Sequence, residues 1–332
     1  MHKTIYKILC LGMVLIASCS APGSPVTTVS QATMPISPTE TRPPTAVIDN
    51  QTSQDQIMTE VPTLEPASPT PTFSIINEIP YATSLQPDAT RWNLDIYVPN
   101  SAVEAPVVVF AHGFKAVKEG HKRESKVFAE NGILVYTITW PTWIADLAEE
   151  ENGRGYREMF EVFSCAIRYA RGTAQDYGGD PSQLILAGFS MGATEGALTA
   201  LGGEAHATDW ETFAAEKGGP PQQVDCAVEG ASQEVNAFLG VGGYYDLTDR
   251  LLGRKPELWN LASPYAIIGG NPDLQLRLLH GAQDENRDPE TSIQFNQTLQ
   301  EAGYDSELIL YDGVHLVPAE LTAEVILELA GE

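Results

Sequence analysis

Ser190 lies in Gly188-Phe-Ser190-Met-Gly192, with a glycine two residues before it and another two residues after. A short apolar run, 184–187, precedes it, and a helix-compatible run with Ala197, Leu198 and Leu201 on one face follows. A serine in a G-x-S-x-G turn between strand and helix sits in a bend sharp enough to expose its hydroxyl at the sheet edge. The glycines are steric requirements of that bend, because neighbouring Cβ atoms would collide. The chemistry implied is nucleophilic attack, with the Met191 N–H beside the hydroxyl at a helix N-terminus. A glycine-rich turn with an incidental serine is the alternative, so the partner residues must decide.

A serine hydroxyl attacks poorly until a base takes its proton, and that base needs a carboxylate to orient it. Of the six histidines, His315 in Tyr311-Asp-Gly-Val-His315 directly follows an apolar run, where a base should stand. His112 and His280 each precede a glycine at a strand end and read as turn-shaping residues, His121 and His206 as residues of polar surface stretches. Asp284 is the first carboxylate after the run Leu278-Leu-His-Gly-Ala-Gln. Asp288, just before Pro289, suits the start of the next helix. Glu285 and Asp246 remain rivals for the acid.

The elements that must position these groups follow from hydrophobic periodicity. From about residue 73 apolar runs alternate with helical stretches, the mark of an α/β domain with a mostly parallel sheet, here of about eight strands. Strands are expected near 79–84, 92–98, 106–113, 133–139, 184–187, 237–244, 274–280 and 308–312. Helices are expected near 119–131, 156–174, after Ser190, 290–302 and 319–330. Each chemical candidate falls just past a strand end, the edge where open α/β sheets gather ligands and catalytic groups.

The first 72 residues read differently. Lys3 and Lys7 precede the apolar run 8–17, which is too short to span a bilayer and reads as an export signal over 1–18. Its ending, Ile16-Ala17-Ser18-Cys19, resembles a bacterial lipobox, which implies lipid modification of Cys19 and anchoring through two acyl chains. Residues 19–72 are rich in Pro, Thr and Ser and carry too little apolar surface to fold, so they are expected to form a tether spanning about 40 Å. The predicted location is therefore extracytoplasmic, on a bacterial membrane, with the membrane touched only through the anchor. Forty-four acidic against 19 basic residues give a net charge of −25, which argues against nucleic acid as a partner.

From about Tyr81 onward the chain resembles α/β-hydrolase-fold enzymes of the esterase and dienelactone-hydrolase-like group. The resemblance rests on His112-Gly113-Phe114, Gly188-Phe-Ser190-Met-Gly192, His280-Gly-Ala-Gln-Asp284 and Gly313-Val-His315, in the order serine, acid, histidine. It implies a monomer that hydrolyses small-molecule carboxylic esters through an acyl-enzyme on Ser190, with His315 as base and Asp284 orienting it. No metal or organic cofactor is implied. Many carboxylesterases of this group carry His-Gly-Gly-Gly where this chain has His112-Gly113-Phe114-Lys115, which makes the Phe114 N–H the first oxyanion donor and the Met191 N–H the second. Dienelactone hydrolases proper use a cysteine nucleophile, so Ser190 argues against that activity.

Around this constellation, Trp140 and Trp143 are candidates for a substrate pocket or for packing beneath a loop. Lys115, Lys118, Lys122, Arg123 and Lys126 form a basic cluster that reads as a solvated helix face or a feature of the entrance. Segments 203–235 and 247–273 exceed simple connections and resemble the family's lid or pocket-wall insertions. A bridge between Cys165 and Cys226 is implied by the same resemblance and would pin the first insertion beside the site. Two rival readings remain. Prolyl-oligopeptidase-type peptidases share the motif set but carry a propeller domain for which this chain has no room, and a surface binding protein would keep the fold without turnover.

Overall fold

The structure is a computed structural model, and it describes residues 72–85, 90–100, 102–142, 154–248 and 255–331. The leader, Cys19, nearly all of the tether and Trp143 lie outside the described residues.

Strands β1 (Phe73–Ser84) and β2 (Arg91–Pro99) pair antiparallel. β3 (Ala105–Ala111), β4 (Leu134–Ile138) and β5 (Gly179–Phe189) supply the centre, and β6 (Val224–Cys226) returns to the β1 edge. β7 (Ala237–Val241), β8 (Gln275–Gly281) and β9 (Asp305–Tyr311) complete one sheet ordered β6-β1-β2-β4-β3-β5-β7-β8-β9. From β4 to β9 all neighbours are parallel. Every residue of β3, β4 and β7 is buried, as expected of strands covered on both faces.

The principal helices are α1 (Lys122–Glu130), α2 (Arg154–Thr173), α3 (Met191–Glu216), α4 (Trp259–Ala262), α5 (Glu290–Glu301) and α6 (Ala319–Ala330). Strand alternation divides the core between them. Val107, Val109 and Ala111 join the core with α2, α3 and α5, whereas Val108 and Phe110 join the one with α1 and α6.

Segment 203–235 differs from the expected insertion. α3 kinks at Gly203 (φ 52°, ψ −149°) and continues to Glu216. The Glu234 carboxylate accepts the Glu204 N–H at 2.9 Å, capping the helix where it restarts. The positive φ at Gly203 is one that L side chains rarely adopt, and a Cβ there would also lie 2.4 Å from that same carboxylate. The chain then runs into β6, a ninth strand whose three residues carry no strand signal of their own.

Three side chains read as surface groups are buried instead, and Trp140, for which pocket and packing readings both stood open, is buried too. His206 packs edge-on against Phe160 (5.0 Å) and bonds the Leu261 carbonyl at 2.8 Å. His121 lies between Phe110 (5.3 Å) and Phe189 (5.4 Å). Lys118, 3 % exposed, leaves the basic cluster to meet Glu78, Asp95 (3.0 Å) and Glu119 (2.6 Å). Trp140, 2 % exposed, stacks on His112 (5.5 Å) and meets Phe163 edge-on (4.9 Å), so it packs beneath the loop. In each case the cover or partner comes from a distant part of the chain or from the fold itself, which local composition does not reveal.

Cys165 of α2 and Cys226 of β6 form a disulfide with a Cα–Cα distance of 5.0 Å. It fastens the edge strand to a helix and takes no part in lining the Ser190 cleft, contrary to the expectation that it pins an insertion beside the site. Glu161 of α2 reinforces the same junction by accepting the Gln223 (2.7 Å) and Val224 (2.9 Å) N–H groups. The bridged residues are 61 apart in sequence. On the chain-entropy model a loop of that size contributes at most about 4 kcal/mol. Urea denaturation of the Cys165→Ser/Cys226→Ser double variant should show a loss of about 2–4 kcal/mol; an unchanged unfolding free energy would refute a stabilising bridge.

Candidate active site

Ser190 caps the N-terminus of α3 with φ 54° and ψ −114°, a conformation rare outside glycine. Such strain costs about 1–3 kcal/mol and persists only where the surroundings fix it. Here the fixing is backbone packing. A Cβ on Gly188 would lie 2.2 Å from the Gly192 carbonyl oxygen, and one on Gly192 would lie 2.5 Å from the Ala111 oxygen. Strand, helix start and the end of β3 therefore meet main chain to main chain. The Ser190 N–H donates to the Val241 carbonyl at 2.7 Å, tying the bend to β7.

The loop after β3 passes directly over the serine, since a Cβ on Gly113 would stand 3.2 Å from Ser190 Cβ. Its shape is set by His112, which is fully buried. His112 Nδ1–H donates to the Gly113 carbonyl at 2.9 Å, and Nε2 accepts the Trp140 N–H at 3.4 Å. The Trp140 indole N–H donates back to the His112 carbonyl at 3.1 Å. Burial pushes the His112 imidazole down to about 4, so it stays neutral and keeps this tautomer. The Phe114 and Met191 amide hydrogens have no hydrogen-bond acceptor among the described residues. Two unclaimed donors flanking a serine are what an oxyanion hole requires.

Of the candidate carboxylates, Asp284 is the one hydrogen-bonded to His315 among the described residues. Asp284 Oδ2 accepts His315 Nδ1–H at 2.5 Å, and Oδ1 accepts the Asn286 and Arg287 N–H groups at 2.8 and 2.9 Å. Asp288 instead accepts the Glu290 N–H at the start of α5, and Asp246 accepts the Thr248 N–H in a local turn. Burial works against the Asp284 charge, but the His315 and backbone donors outweigh it and hold the carboxyl below the usual carboxylate range.

His280, read from the sequence as a turn former, is the second imidazole on this carboxylate. Its Nε2–H donates to Asp284 Oδ2 at 3.1 Å, while Nδ1 accepts the Ser292 hydroxyl at 2.7 Å. Burial lowers its pKa, so it serves as a neutral donor. The signal for it was its spacing, four residues before Asp284 in the strand that delivers the acid.

The base loop is fastened to the acid loop. Gln283 N–H donates to the Gly313 carbonyl at 2.8 Å, and the Tyr311 hydroxyl donates to the Val314 and Leu316 carbonyls, on either side of His315. A Cβ on Gly281 would lie 2.3 Å from the Val314 oxygen. The His315 ring rests on Phe189, 4.9 Å between centroids. Ser190, His315 and Phe114 open on one cleft of about 360 Å³, which Asn286 and Arg287 also line. No hydrogen bond joins Ser190 Oγ to His315 among the described residues; such contacts often close only around substrate.

A nine-strand, mostly parallel sheet carrying this constellation on its carboxyl edge defines an α/β-hydrolase. More narrowly, the chain belongs to the BD-FAE family, which matches residues 94–299. A probable isoprenylcysteine alpha-carbonyl methylesterase of Arabidopsis thaliana is 26 % identical over 68 % of this chain and 48 % of its own length. Esterase LipC of Mycobacterium tuberculosis is 27 % identical over 54 % of this chain and 44 % of its own. The chain thus spans about half the length of the curated relatives it matches. Among solved structures, a truncated carbohydrate esterase from gut microbiota superposes with a TM-score of 0.59 at 18 % identity, covering 79 % of this chain and 98 % of that one. Thermogutta terrifontis esterase 2 phosphorylated by paraoxon gives 0.55 at 21 % identity, covering 78 % and 92 %.

The Asp284 carboxyl has a lower pKa folded than its unfolded value of about 3.9. Its contribution to stability is therefore complete above that value and is lost as pH falls through the folded pKa. Asp284→Asn should accordingly lose less stability than the parent between pH 5 and pH 2. Parallel acid limbs in chemical denaturation would contradict this.

Proposed function

We propose that the chain is a serine esterase that cleaves small carboxylic esters through an acyl-enzyme on Ser190. The observation that carries this reading is the short Asp284–His315 hydrogen bond opening on the cleft that holds Ser190. With Nδ1–H committed to Asp284, His315 carries its lone pair on Nε2, the tautomer a general base needs. His315 takes the Ser190 proton as Oγ attacks the ester carbonyl, and the Asp284 charge stabilises the imidazolium. The Phe114 and Met191 N–H groups receive the oxyanion. His315 returns the proton to the leaving alcohol, and a water repeats the sequence to release the acid. Loss of one such donor costs about 10²–10³ in kcat in comparable sites, so both are part of the machinery. The names of the sequence relatives, a methylesterase and an esterase, support the same class of bond.

The enzyme works outside the cytoplasm on a lipidated Cys19, with residues 19–72 as its tether. The charged start, short apolar run and lipobox-like ending of the leader support this.

Purified protein should hydrolyse 4-nitrophenyl acetate and butyrate and take a fluorophosphonate probe on one serine. Ser190→Ala should abolish labelling and lower kcat/KM by about 10⁴-fold or more; labelling that survives the substitution would sink the assignment. In a bacterial host, Cys19→Ser should shift the protein from the membrane fraction to the soluble one. Equal membrane association of both forms would exclude the acyl anchor.

A further inference from the structure

Building on the esterase reading, we infer that the cleft selects esters bearing a carboxylate, with Arg287 as the residue that recognises it. The chain is strongly acidic, at −25. Yet among the described residues those lining the Ser190 cleft include no aspartate or glutamate, and Arg287 is the one lysine or arginine of that lining. A lone cation in a cleft draws an anion more strongly than one on open surface, because low-dielectric walls focus its field.

Arg287 is also unspent. Arg123, Arg157, Arg168 and Arg277 each pair with a carboxylate: Glu320, Glu161, Glu204 and Asp305 respectively. Arg287 has no ion-pair partner among the described residues. Its Nη1–H donates to the Asn286 carbonyl at 2.8 Å, and its guanidinium lies 6.0 Å over the Tyr244 ring. These contacts orient the planar group and leave further N–H donors for a carboxylate, whose geometry the guanidinium fork matches. The adjacent Asp288 accepts the Glu290 N–H and makes no ion pair with Arg287 among the described residues.

Its position relative to the chemistry is fixed by the chemistry's own carboxylate. Asp284 accepts the Arg287 N–H at 2.9 Å while holding His315 at 2.5 Å. His280 Nε2, 3.2 Å from the Arg287 carbonyl, holds the other side of that residue. The backbone of Arg287 is thus registered to the base. A second cation stands nearby: Lys115 Nζ lies 5.1 Å from the ring of Phe114, which lines the cleft. An anionic group one short chain away from the scissile carbonyl would meet Arg287.

The test compares matched esters in the same enzyme. 4-Nitrophenyl hemisuccinate is set against 4-nitrophenyl butyrate, which places the charge on the acyl side. 3-Acetoxybenzoate is set against phenyl acetate, which places it on the alcohol side. Spontaneous hydrolysis is subtracted in each case. The parent should favour the anionic member of at least one pair in kcat/KM by about tenfold. Arg287→Gln should bring that ratio close to one, and Arg287→Lys should leave an intermediate value. Reading the ratio within each variant cancels any general loss of activity. If the neutral esters are hydrolysed but neither ratio exceeds one, or Arg287→Gln leaves the ratio unchanged, the carboxylate preference is overturned and the esterase reading stands. If neither neutral ester is hydrolysed and no fluorophosphonate label is taken, the esterase reading fails and this inference with it.

Discussion

The Asp284 carboxylate is the interaction on which the rest of the site depends. It accepts four hydrogen bonds, two from imidazoles and two from backbone amides, and its side chain is out of contact with water. A buried carboxylate with fewer donors would take up a proton, and a neutral acid would no longer stabilise an imidazolium. Here the loop after β8 supplies the amides, β8 itself supplies His280, and the loop after β9 supplies His315. Three chain segments are therefore held in register by one side chain. The fold answers with a matching constraint from the main chain, since Gly281, Gly188 and Gly192 all sit where a methyl group would strike another backbone.

That main-chain proximity explains how a strained serine survives. Ser190 lies at φ 54° because the bend is gripped from β3 and β7 at once, and relaxing it would require moving the buried centre of the sheet. The loop after β3 is shaped in the same spirit. A neutral His112 and Trp140 exchange hydrogen bonds around its first residue, leaving the next amides free. Trp140 thus contributes to the cleft from beneath, by holding the loop rather than by touching what enters it.

Much of this was legible in the sequence, and the reasons differ by element. The central strands announce themselves as continuous apolar runs because both faces are covered. Ser190, Asp284 and His315 stand out because each follows such a run directly. β6 was silent, since a three-residue strand, Val-Asp-Cys, is specified by its partner β1 and by its disulfide rather than by its own pattern. His121 and Lys118, in polar stretches, read as solvated until the fold sets Phe110 and Phe189 around the one and Asp95 beside the other. His280, read as a turn former at a strand end, shows its role only once the loop after β8 brings Asp284 beside it. The lack of an ion pair at Arg287 is likewise a property of three dimensions, because Asp284 and Asp288, close to it in sequence, hold His315 and the Glu290 N–H instead.

The sheet's two margins bear on life at crowded concentration. An outermost strand offers unpaired amides and carbonyls to any neighbouring chain, and proteins blunt that hazard by making such strands short or charged. β6 is three residues long and covalently clamped, so little template is left on that side. On the far side β9 carries Asp305 and Glu307, drawn to Arg277 on β8. Both margins are therefore poor templates for extending the sheet from one molecule into the next.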